Sequence, residues 1–102
     1  MSTSRFAVRL LSVAEEDLSE AITYIAADNP AAAMALVDTI EKSLDDLTSH
    51  PHMGRVPDDP NLMQMGYRYL AVEKYLVFYV VEATVVVIHR ILHGARNYRD
   101  LF

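Results

Sequence analysis

From Arg5 to Leu11 the apolar residues Phe6, Val8 and Leu10 alternate with Arg5, Ala7 and Arg9. This is the two-residue period of a half-buried strand. At Ser12 the period changes. Ala14, Leu18, Ala21, Ile22 and Ile25 recur at helical spacing, with Glu16, Glu20 and Thr23 on the opposite side. Ser12 followed by Glu15 is a capping-box pattern, so the spacing predicts a helix from Ser12 to about Asp28. Asn29-Pro30 ends that helix and starts another, because Asn is a good N-cap and Pro costs nothing at the first helical position. The second helix carries Ala33, Leu36, Val37, Ile40, Leu44 and Leu47 on one stripe. Two amphipathic helices joined at one sharp break form an antiparallel hairpin, whose apolar faces need a further surface to bury them.

His50 to Gly66 contains three prolines and two glycines, which predicts a loop without regular structure. Gly66 to Tyr98 then holds three runs rich in tyrosine, valine and isoleucine, GYRYLAV, YLVFYVV and TVVVIHRIL. Glu73-Lys74 and Glu82-Ala83-Thr84 are short enough to close hairpins between them, so an antiparallel meander is expected. The order β-α-α-β-β-β makes the chain an α+β domain, with the hairpin packed on the sheet.

A length of 102 residues with 52% hydrophobic and 23% charged content suits a single domain with one core. Cysteine is absent, which excludes a disulfide framework and fits a reducing cytoplasm. The apolar run before Glu15 is too short for a signal peptide, and Glu82, His89 and Arg90 interrupt the stretch from Tyr75 to Leu92, so no membrane span is expected. Charge is unevenly placed: residues 12 to 50 hold nine acids against Lys42 alone, while residues 51 to 102 hold six bases and five acids. With a pI near 5.2, only the strand half has a basic face to offer nucleic acid.

Histidines give no convincing metal set. His89 and His93 are four apart, but on a strand rising ~3.3 Å per residue they would stand about 13 Å from each other. His50 and His52 lack a third or fourth ligand at sensible spacing, so neither metal nor cofactor is expected. Tyr67, Tyr69, Tyr75 and Tyr79 read as packing residues with their hydroxyls at the rim. Arg68 alternates with Tyr67 and Tyr69 and points to the opposite face, toward solvent, an acid or a ligand. Arg90 either pairs with an acid from the helices or joins a target-binding face.

The first strand, AEEDLSEAITYIAADNPAAA, Pro51-His52-Met53-Gly54-Arg55, GYRYLAV, YLVFYVV and the ending Ile88-His89-Arg90-Ile91-Leu92-His93-Gly94-Ala95-Arg96-Asn97-Tyr98 follow one another in a characteristic order. In this the chain resembles the RelE/ParE superfamily of toxins from type II toxin–antitoxin modules. The resemblance implies two helices on a twisted, mainly antiparallel four-stranded sheet with the N-terminal strand at its edge. It also implies growth inhibition in the cytoplasm and neutralisation by a cognate antitoxin whose disordered segment folds on binding. RelE-like members cleave mRNA on the ribosome without metal, chemistry that needs cations for the developing phosphorane and an acid/base pair. ParE-like members inhibit DNA gyrase and need a binding surface.

In the nuclease pattern the third strand begins Tyr-Arg-Leu, whereas here it reads Tyr75-Leu76-Val77. Losing such an oxyanion-type donor costs about a hundredfold to a thousandfold in rate. The resemblance therefore points to the ParE-like branch and to gyrase. The alternatives are a ribosome-dependent nuclease using His93, Arg96, Tyr98 and Arg68, and a non-toxic interaction module. Target-binding candidates are Arg68, Arg90, His93, Arg96 and Tyr98. Candidates for antitoxin contact, expected to be apolar on the acidic helical half, are Leu36, Ile40, Leu44, Met63, Met65 and Phe102. Gly54-Arg55 is expected to anchor its loop to the sheet through Arg55.

Overall fold

A computed structural model describes residues 5–102. The residues before Arg5, part of the stretch read above as too short for a signal peptide, lie outside the described residues. In chain order the elements are β1 (Ala7–Leu10), α1 (Ser12–Ala26), α2 (Pro30–Ser49), α3 (Pro60–Gln64), β2 (Arg68–Val72), β3 (Tyr75–Glu82), β4 (Val85–His93) and a closing 3₁₀ turn (Tyr98–Leu101). The sheet is open and mixed, in the order β1-β4-β3-β2. β2, β3 and β4 form the expected antiparallel meander, and β1 lies parallel to β4 at one edge. Among the described residues no helix is long and apolar enough to cross a membrane.

The two helices cover one face of the sheet. Ala14, Ala21, Leu36, Ile40 and Leu47 meet Val72, Val77, Tyr79, Val86, Ile88 and Ile91 in a buried core. The second helix begins as its sequence demands: the Asn29 side chain accepts the Ala32 amide at 3.1 Å, and Pro30 opens the first turn. The first helix does not use its capping box. Leu11 donates its amide to the Ile88 carbonyl at 2.9 Å while its own carbonyl already accepts the amides of Ala14 and Glu15 at 2.9 and 3.1 Å, so the helix begins one residue earlier than a Ser12 cap requires. Leu11 occupies the N-cap position with no side-chain bond, and Ser12 falls inside the helix, which ends at Ala26 rather than Asp28.

The opposite face is covered too, where the sequence reading had only a loop. The stretch from His50 to Gly66 contains α3, and its signal was present: Asp59-Pro60 repeats the device of Asn29-Pro30. The Asp59 carboxylate accepts the amides of Asn61 and Leu62 at 2.9 and 3.1 Å. Leu62 from α3, with Tyr67, Phe78 and Leu92, forms a second cluster over which Tyr98 and Leu101 close. The hairpin turns are the tight ones expected, although Glu82 completes β3 and leaves Ala83-Thr84 as the turn. Glu73 and Ala83 take left-handed backbone conformations there, with φ of 54° and 53°.

Candidate functional site

β4 carries one residue more than its partner. Tyr79 pairs with Ile88 and Phe78 with Arg90, which leaves His89 as a bulge. The bulge reverses the alternation: Val86 and Ile88 face the helices before it, and Ile91 faces them after it, while Leu92 turns to the outer cluster. Past Leu10 the edge of β4 is no longer paired with β1. There the side chain of Asp17, from α1, takes the place of the missing strand. Its Oδ2 accepts the Ile91 amide at 3.0 Å, and its two oxygens receive Arg90 Nη2 and Nε at 2.9 and 2.8 Å. The hydrogen bonds that Arg90 donates to Asp17, with the charges of Asp17, Glu20 and Glu16, hold its guanidinium above its ordinary basicity, against the opposing effect of burial. Arg90 therefore pairs with an acid from the helices, one of the two roles its sequence left open.

Arg68 is likewise engaged. Its Nη1 donates to the carbonyls of Gly54 and His52 at 3.0 and 3.2 Å, which ties the loop after α2 to β2. Beside it the buried Tyr79 hydroxyl accepts the Gly54 amide at 2.9 Å. A Cβ at Gly54 would stand 2.6 Å from that hydroxyl and 2.9 Å from the Tyr69 carbonyl, so only glycine fits there. Burial is the main cause raising the Tyr79 phenol's pKa, offset in part by the Gly54 amide and Arg68. The loop is thus anchored by Arg68 and not by the Arg55 side chain, which is exposed; Arg55 contributes only its backbone, in a two-way bridge with Tyr69 at 2.8 Å. The hydroxyls of Tyr79 and Tyr67 are also interior, not at the rim: Tyr67 bonds His89 Nδ1 at 2.9 Å.

What remains open lies where α1 passes the free end of β4. Tyr24, Tyr75 and His93 line two adjoining hollows. One, of about 360 Å³, is completed by Asp17, Glu20, Ile91 and Arg96; the other, of about 700 Å³, by Ile25, Ala32, Leu36, Glu73 and Lys74. Tyr24 is 81% exposed on α1. The His93 ring meets Tyr75 edge-on at 5.4 Å and accepts the Ala95 amide at 3.1 Å through Nδ1. Sequence reasoning named His93 and Arg96 but missed Tyr24 and Tyr75 as their neighbours, since only tertiary packing brings α1 alongside the β3–β4 end.

The remaining candidates are dispersed. Tyr98 lies on the outer face, its ring 4.9 Å from Phe78, and so is separated by the sheet from His93 and Arg96. Leu76 packs into the same outer cluster. Of the residues expected to meet an antitoxin, Leu36 and Ile40 are 4% and 1% exposed and belong to the core, so they offer a partner almost no surface. The helical stripe that looked available is the one that packs on the sheet. Leu44 is half-buried, whereas Met63, Met65 and Phe102 are exposed. Among the described residues no three His, Cys, Asp or Glu side chains converge as a metal site would require.

Comparison with known proteins bears on this geometry. Residues 8–98 match the model of the ParE toxin family, described as the ParE toxin of type II toxin–antitoxin system, parDE. No curated protein matches the sequence. Among solved structures, a chain of the chromosomal ParDE system from P. aeruginosa superposes with a TM-score of 0.72 at 20% identity, over 89% of this chain and 98% of that one. A chain of the toxin–antitoxin complex RelBE2 from Mycobacterium tuberculosis gives 0.62 at 24% identity, over 93% and 98%. At these identities the likeness is one of fold.

Proposed function

The chain belongs to the ParE toxin family of type II toxin–antitoxin systems, and from that premise we propose that it arrests growth by binding and poisoning DNA gyrase in the cytoplasm. The observation that supports a binding role is the separation of the groups an RNA-cutting mechanism would need. A ribonuclease of this lineage must gather an acid, a base and phosphate-facing cations within hydrogen-bond reach of one phosphodiester. Here Tyr98 and Leu76 stand on one side of the sheet, His93 and Arg96 on the other, and Arg68 is bound to loop carbonyls. The groove of Tyr24, Tyr75, His93 and Arg96 is the surface we assign to the target. Aromatic and arginine side chains at a concave site are what protein interfaces use for their strongest contacts.

The partner we assign is a cognate antitoxin. Exposed Met63, Met65 and Phe102 supply flexible apolar contacts for it near α3 and the closing turn. Expression without the antitoxin should stop growth, with filamentation and gyrase-dependent DNA cleavage. In a supercoiling assay the purified chain should inhibit gyrase, and Arg96→Ala should weaken that inhibition about tenfold, as loss of an interface hot spot does. Cleavage of mRNA on programmed ribosomes with gyrase untouched would refute the proposal.

A further inference from the structure

His89 is the residue that the bulge adds to β4, and it is the one described side chain with a buried polar atom lacking any hydrogen-bond partner, its Nε2. Its other nitrogen, Nδ1, is 2.9 Å from the Tyr67 hydroxyl, and the two rings meet edge-on at 5.0 Å. Tyr67 in turn supports the closing segment, for the Phe102 ring stands 4.8 Å from Tyr67 and 5.1 Å from Phe78. We propose that His89 is a pH-sensitive catch: while its ring is neutral the segment Tyr98–Phe102 stays on the sheet, and protonation of the ring lifts that segment off while the rest of the fold persists.

The reasoning is one of hydrogen bonds and charge. A neutral imidazole with one bond and one orphan nitrogen costs the fold a single unmade hydrogen bond. The imidazolium has two N–H donors and a charge, and Nε2–H faces no acceptor. The ionisable groups around it do not supply one. From β3, Glu82 acts only at a distance; from α1, Asp17 is occupied by Arg90; in the closing segment, Arg99 pairs with Asp59 at 3.2 Å and Asp100 accepts from Asn97. Burial accordingly lowers the ring's proton affinity below the ordinary value of 6.5, with Glu82 pulling the other way. A depressed folded-state value means that the neutral ring's contribution is whole above about pH 6.5 and is lost as the pH falls below it.

Water must then reach Nε2, and of the elements packed around Tyr67, the hydrogen-bond partner of His89, the one with the weakest hold gives way. β3 and β4 are locked by ladder bonds, whereas the closing segment is held by ring contacts, an ion pair from the exposed Arg99 to the half-buried Asp59 and a long bond of 3.4 Å from Arg90 to the Leu101 carbonyl.

The test is NMR on the whole chain from pH 7.5 to 4.5. The cross-peaks between Phe102 and Tyr67 and between Tyr98 and Phe78 should disappear with the midpoint of the His89 ring titration, while the β-ladder amides stay protected. In His89→Gln, which keeps a partner for Tyr67 but takes no charge, and in His89→Phe, the Tyr98–Phe78 cross-peaks should survive at the lowest pH. Retention of the wild-type cross-peaks below the His89 midpoint, their loss in both variants at the same pH, or simultaneous loss of ladder protection would each overturn the proposal.

Discussion

A carboxylate that receives two guanidinium nitrogens and a backbone amide cannot be removed without stranding all three, and Asp17 is in that position, 73 residues from Arg90 and 74 from Ile91. Both side chains are shielded, 16% exposed for Arg90 and 7% for Asp17. Asp17→Ala should therefore cost on the order of 4 kcal/mol, read as a lower urea midpoint, because the charge left behind stays partly buried. Asp17→Asn, which still accepts the Ile91 amide, should lose less. At the other end of the sheet, Tyr79→Phe strands the Gly54 amide, an expected loss of about 2 kcal/mol. Gly54→Ala forces a methyl against the Tyr79 hydroxyl, for a similar loss. Because both changes act on one contact, the double variant should lose less stability than the two single losses added together. Neither contact is legible from residue types alone: an acid on an amphipathic helix and a tyrosine in an apolar strand have ordinary local readings.

Among the elements, the two long helices show how local signals fare against tertiary demands. Asn29-Pro30 starts α2 as read, and Asn29→Ala should lower stability by about 1 kcal/mol in thermal unfolding. Ser12-Glu15 has an equally good pattern and is not used, since the Leu11 carbonyl already accepts the amides of Ala14 and Glu15 and the helix starts one residue before a Ser12 cap would allow. Ser12→Ala should accordingly change stability by less than about 0.5 kcal/mol. The short helix α3 escaped notice because its prolines counted as breakers, although Asp59-Pro60 is a start signal by the same chemistry. The β4 bulge has no signature at all in a run of valine and isoleucine. It follows from the fit of β4 between β3 and α1, and it sends Ile91 and Leu92 to opposite faces from those unbroken alternation assigns.

For the molecule as a whole, the sheet is insulated on both faces, by the helical hairpin on one and by α3 with the closing segment on the other. Removing the chain beyond Asn97 should uncover Phe78, Leu92 and Tyr67 together, a contiguous apolar patch. The shortened chain is expected to bind a hydrophobic dye and to self-associate in light scattering at neutral pH; a soluble monomer with no dye binding would show that the segment covers little. The acidic helical half, rich in Asp and Glu, leaves the β4 end with Arg96 and Lys74 as the polar rim of the groove proposed to meet a target.

The periods of two and of about 3.6, the Asn-Pro break and the two hairpin turns are properties of neighbouring residues, so the β-α-α-β-β-β order and the family resemblance stood in the sequence itself. Burial of the Leu36 and Ile40 stripe against the sheet, the parallel seat of β1, the bulge at His89, the Asp17–Arg90 pair and the division of Tyr98 from His93 and Arg96 depend on residues far apart in the chain. Only the folded chain decides them, because each is set by which surfaces remain to be covered, and which backbone amides remain to be bonded, once the strands have paired.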